Sequence, residues 1–112
     1  SLQMAQASKV SFQFEFKSLP YFAKTLEFLQ KEILTKAHRT NSEYTQSAST
    51  YDSLEPWQKN LLFDPQTSGG LLLSVEAQKA DQIVQLLVPH FPQCTRIGYV
   101  SAMQPHSLSI QS

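Results

Sequence analysis

Along residues 10 to 17, Val10, Phe12, Phe14 and Phe16 alternate without interruption with Ser11, Gln13, Glu15 and Lys17. Successive side chains of a strand point to opposite faces, so this run predicts a strand with one aromatic face and one polar face. The aromatic face has to be covered by another layer. Helical patterns nearby can supply that layer. Pro20 follows Ser18, and Phe22, Leu26, Leu29 and Ile33 then recur at helical spacing, which predicts a helix over about 20–33 started by Ser18. Leu2, Met4 and Ala5 read as the end of an earlier helix, closed by Ser8 and Lys9 and continuing something upstream. The same eight residues lack the basic patch and apolar core of a signal peptide.

The remaining pattern alternates in type. Pro56, Trp57, Leu61 and Leu62 predict a short helix capped by Asp52 or Ser53. It should stop before Asp64-Pro65, because the residue preceding a proline avoids the helical region. Leu71 to Val75 is apolar on both faces and predicts a central strand covered on both sides. Ala77, Ala80, Ile83, Val84, Leu87 and Val88 form an amphipathic stripe that ends at Pro89. Thr95 to Val100 and Ser107 to Ile110 predict two last strands, with a turn at Pro105 between them. Thr40 to Ser53 holds few core-forming side chains and reads as a long surface loop, a feature that in a compact domain usually carries function. Together these predict one α+β domain: a mixed, mostly antiparallel four-stranded sheet packed with helices. A chain of 112 residues is long enough to bury such a core unaided.

Charge and cysteine content exclude several functions. Nine basic residues balance nine acidic ones, so there is no basic stripe for nucleic acid or an anionic membrane. The longest apolar run, Leu71-Leu72-Leu73, is far short of the ~20 residues of a membrane span. Cys94 is the only cysteine, which rules out an internal disulfide and suits a reducing cytoplasm. No Lys or His adjoins it to lower its pKa, so packing is its expected role. His38, His90 and His106 fall at no metal-ligand spacing, and Glu27, Glu32, Glu43, Asp52, Glu55 and Asp64 are scattered. Trp57 and Phe63 could stack a base, but the helical spacing of Trp57 with Leu61 points to the core.

One segment has the composition of a binding loop. Thr67-Ser68-Gly69-Gly70 offers two hydroxyls and a backbone free of side chains, which would let a phosphate approach closely. It has neither the lysine of a GxxxxGK[ST] loop nor the spacing of GxGxxG, and those motifs lead into helices, not strands. A tight turn or close packing explains the two glycines equally well. Asp64, before proline, reads as a turn or cap residue.

The longer run Asp64-Pro65-Gln66-Thr67-Ser68-Gly69-Gly70-Leu71-Leu72, preceded by Leu61-Leu62-Phe63, resembles the motif near the end of selenophosphate synthetases, the selenide, water dikinases. The resemblance extends outward. Met4 to Ser8, Leu19-Pro20 with Leu26-Glu27, Arg39-Thr40-Asn41 with Tyr44, and Ile97-Gly98 with Val100 are all similar to segments of that family's carboxy-terminal domain. Leu34 to His38 departs from it, since the family carries glycine there. The resemblance implies the fold of the aminoimidazole ribonucleotide synthetase-like carboxy-terminal domain and a parent enzyme that uses ATP and magnesium to convert selenide into selenophosphate, releasing AMP and phosphate. It implies that the reactive Cys or selenocysteine, its Lys, the glycine-rich nucleotide loop and the magnesium-binding aspartates lie upstream. On that reading residues 1–112 form one carboxy-terminal domain, inactive alone, without a tightly bound cofactor or metal, whose main partner is the missing amino-terminal domain. Thr67, Ser68, Gly69 and Gly70 would lie near the shared cleft, with Arg39 and Asn41 as second contributors. Apolar surface freed from that domain would favour self-association, homodimers included. Two rival readings are a related ATP-dependent enzyme, such as aminoimidazole ribonucleotide synthetase or thiamine monophosphate kinase, and a non-catalytic module binding a partner through Thr40 to Ser53.

Overall fold

A computed structural model describes residues 1–112. The alternating run forms the strand β1, Val10–Glu15, and it lies inside a four-stranded sheet. The other strands are β2 (Ser49–Thr50), β3 (Gly98–Ala102) and β4 (Leu108–Gln111), in the order β2-β4-β1-β3. Phe12 stands opposite Val100 on one side and Leu108 on the other, which puts all three on one face. The opposite face is polar, carrying Ser11, Gln13, Ser101, Thr50 and Ser109. There the Gln13 amide donates to the Ser101 hydroxyl at 3.0 Å, and the buried Ser11 hydroxyl donates to the His106 carbonyl at 2.8 Å. The sheet is mixed, as expected, but its balance differs. β1 pairs antiparallel with β3 and parallel with β4, and β2 pairs parallel with β4, so antiparallel pairing does not predominate. The cause is topological: β1 inserts between the last two strands and separates what would otherwise be a hairpin.

The chain also forms five α-helices. They are α1 (Leu2–Ser8), α2 (Thr25–Gln30), α3 (Lys36–Thr45), α4 (Pro56–Phe63) and α5 (Ala80–Leu87). The core joins Leu2 and Ala5 of α1, Phe12, Phe16, Leu29 of α2, Leu54, Leu61 of α4, and Leu108 and Ile110 of β4. Trp57 packs edge-on to Phe16 at 5.7 Å, so it is a core side chain, as its spacing predicts. No helix is long and apolar enough to cross a membrane.

Several local expectations are corrected. The helix predicted from Pro20 starts only at Thr25 and ends at Gln30, and Ser18 does not cap it. It closes early because Glu32 adopts φ 55, which lets the Glu32 and Ile33 amides return to the Leu29 and Phe28 carbonyls. This is the arrangement glycine usually provides at a helix end. α4 is started by Glu55, whose amide donates to the Gln58 side chain at 2.8 Å, in place of Asp52 or Ser53. Thr40 to Ser53 is not a long loop: α3 occupies its first part, and Ser49–Thr50 pairs with β4 as an edge strand. Sequential polar residues suffice for α3 because it lies on the surface with no buried residue of its own.

Leu71 to Val75 is the largest departure. It forms no strand, and Leu71 is 92% exposed. α5 keeps its apolar stripe only half covered. No residue from Asp64 to Ser107 is buried, although that stretch contains Leu71, Leu73, Leu86, Phe91 and Val100.

Gly98 ties β3 to β1. A Cβ at this position would collide with the Gln13 carbonyl, and the backbone of Phe14 is also too close to give way. Gly98→Ala is therefore expected to destabilise the chain by about 2–3 kcal/mol, the scale of forced overpacking, read as a lower denaturation midpoint in urea.

Candidate functional site

The motif leaves α4 abruptly. Phe63 ends the helix, Asp64 is already extended at φ −62 and ψ 127, and Pro65 prevents return to helix. Gln66 to Gly69 then makes a turn closed by the Gly69 amide on the Gln66 carbonyl at 3.4 Å. Within it Ser68 takes φ 60, the left-handed region that disfavours side chains. Neither glycine has positive φ. Tight packing explains one of them only. A Cβ on Gly69 would press on Gln66 at 3.2 Å, whereas around Gly70 there is nothing within 4 Å.

Thr67, Ser68, Gly69 and Gly70 are all exposed, so two hydroxyls and two glycines are presented to solvent on one turn. Asp64 is the only charged residue from Asn60 to Val75. Such a loop can donate neutral hydrogen bonds to an anion but cannot balance its charge.

The other two predicted residues part company. Arg39 points outward on α3, with its side chain 86% exposed, and pairs with Glu43 at 2.8 Å. That hydrogen bond, with the Glu43 charge, raises the Arg39 pKa above its ordinary value. The arginine thus has a partner on its own helix and makes no hydrogen bond or ion pair to the motif. Asn41 points inward and donates from Nδ2 to the Phe63 carbonyl at 2.9 Å. The structure brings Asn41 to the start of the motif and leaves Arg39 apart. His38, which falls at no metal-ligand spacing in the sequence, is a third residue near the motif. Its ring meets Phe63 edge-on at 5.7 Å, and its Nε2 is buried with no hydrogen-bond partner. The signal available was the i, i+3 spacing of His38 and Asn41, which sets them on one helix face.

Asn41 also lines a cavity of about 310 Å³ between α1, α3 and the sheet, together with Tyr44, Ser49, Tyr51 and Phe63. A second cavity of about 260 Å³ lies on the polar sheet face, beside Ser11, Gln13 and His106. No residue of the motif lines either, and no charged Lys, Arg, Asp or Glu does. No three His, Cys, Asp or Glu side chains converge, so the residues present do not make a divalent-cation site. Cys94 is half-buried, beyond α5.

No family model matches the chain. Individual proteins do. A selenide, water dikinase of Bdellovibrio bacteriovorus is 50% identical over 103 residues, which is 92% of this chain and 29% of that protein. The selenide, water dikinase of Nitrosomonas eutropha is 38% identical over 111 residues, 99% of this chain and 32% of that protein. That of Clostridioides difficile is 35% identical over 86 residues, 76% of this chain and 25% of its own length. The chain thus spans less than a third of the curated relatives it matches. By sequence it is a homologue of one portion of the selenide, water dikinases.

Proposed function

We propose that residues 1–112 are the carboxy-terminal domain of a selenophosphate synthetase, an enzyme that converts ATP, selenide and water to selenophosphate, AMP and phosphate. The observation that carries this reading is 50% identity to a selenide, water dikinase across nearly the whole chain. The uncovered apolar side chains of Leu71, Leu73, Leu86 and Phe91 support it, since a domain cut from a larger protein exposes the surface that its other part covers. The proposed partner is the amino-terminal domain of the same protein, in a reducing cytoplasm. Self-association of the isolated chain through the same surface, as a homodimer, is a consequence of that exposure.

Phosphoryl transfer needs positioning and neutralisation of phosphate charge. This chain's share is positioning. The Thr67 and Ser68 hydroxyls and the Gly70 amide present neutral donors at the cleft between the two domains, while the Gly69 amide closes the turn on the Gln66 carbonyl. Magnesium, when bound to the whole enzyme, would neutralise phosphate charge, held by ligands that lie upstream of this chain, since no three His, Cys, Asp or Glu side chains converge here to hold it. Arg39, already paired with Glu43, is not assigned to the cleft.

The open space around Gly70 and the strained Ser68 separate this role from mere folding. Gly70→Val is expected to leave the denaturation midpoint of the 112-residue chain nearly unchanged while reducing turnover of the complete enzyme at least tenfold, on the scale of a lost transition-state contact. Ser68→Gly should stabilise the chain by about 1 kcal/mol by relieving the left-handed residue, yet slow the complete enzyme through loss of the hydroxyl. Equal turnover in both variants, measured as AMP formed with selenide, would remove the loop from the cleft.

A further inference from the structure

From Asp64 to Gly70 the loop has little anchorage of its own. Its backbone hydrogen bonds are the Asp64 amide to the Leu61 carbonyl and the Gly69 amide to the Gln66 carbonyl, both local and both long at 3.4 Å. Side chains just outside it hold its two ends: Leu72, partly buried against the core, beyond Gly70, and on the other side the buried residue that the loop springs from. That residue, Phe63, is the last buried one before the exposed stretch that runs to Ser107. Three side chains hold it. The His38 ring meets it edge-on at 5.7 Å, Tyr51 does so at 5.5 Å, and Asn41 occupies its carbonyl at 2.9 Å. A carbonyl at a helix end has no partner within the helix, so Asn41 satisfies a group that would otherwise lack one. His38 and Asn41 come from the same face of α3, and α3 buries no residue of its own to explain its seat against α4.

We propose that His38 and Asn41 are positioning residues, which grip Phe63 from α3 and so fix where the Asp64 to Gly70 loop leaves α4. The role in turnover rests on the reading that this loop faces the cleft, but the grip itself does not. Ser68 lies five positions beyond Phe63, so a small rotation at Phe63 is carried to the hydroxyls of the loop. Near the reacting groups, misplacement of about 1 Å is enough to cost on the order of a hundredfold in rate.

The test uses Asn41→Asp, which keeps the shape of the side chain and removes the donor, with Asn41→Ser as a second variant that is too short to reach and adds no charge. Amide resonances of the 112-residue chain are recorded by NMR, and turnover is measured in the complete enzyme carrying the same substitutions. The expected result is movement or broadening of the Thr67 to Gly70 amides, with β1 and β3 amides unchanged, and a fall in kcat of roughly tenfold or more with substrate KM little altered. Unmoved loop amides in both variants overturn the grip, whatever the turnover. Moved amides with unchanged turnover leave the grip standing and overturn its positioning role, together with the cleft reading of the loop. Moved amides throughout β1 and β3 as well overturn it too, since the substitution would then act on the whole fold.

Discussion

The pairing of β1 on both edges is the interaction on which the rest of the structure depends. Phe12 sits opposite Val100 and Leu108 at once, so one strand joins the start of the chain to both of its last strands. A shift of one residue would turn Phe12 and Phe14 to the polar face and bring Ser11 and Gln13 against the helices. The register is held by more than hydrophobicity. Ser11 accepts from the Gln104 amide and donates to the His106 carbonyl, and Gly98 lets β3 approach Gln13 closely. With β1 in place, α1, α2 and α4 each have an aromatic surface on which to bury their apolar stripes.

That arrangement divides the chain unevenly. The buried core draws on residues 2 to 63 and on β4, while 64 to 107 is an excursion that buries no residue and touches the core through Leu72. The family motif stands where the excursion begins, and Phe63 is its root. A loop in this position can be exposed and still be placed, because its fixed end is buried. The exposed apolar residues that follow belong to the same excursion, and the relatives the chain matches are about three times longer than it is.

The motif's family was legible from its wording, since a run of that length seldom recurs by chance, and the comparisons agree with it. The roles of its neighbours were not. Arg39 and Asn41 are two residues apart on a helix, so they face different ways, and adjacency in sequence could not tell which would meet the motif. Only contacts across 22 positions show that Asn41 does. His38 was missed for the same reason: a histidine on a polar helix gives no sign that an aromatic ring approaches from another element. The Gly69-Gly70 pair looked uniform in sequence, yet one glycine has a crowded neighbour and the other open space.

Local pattern by itself determined the alternating strand, the amphipathic helix ahead of Pro89, the helix that stops before Asp64-Pro65 and the mixed α+β class. Each of these depends on neighbours a few residues apart, where steric limits and side-chain direction act directly. Tertiary structure decided the parallel pairing of β1 with β4, the strand hidden in a polar segment at Ser49–Thr50, and the failure of Leu71 to Val75 to become a strand. An extended segment needs a partner for its backbone groups, and whether one is available depends on the rest of the fold, not on the segment's own apolar content.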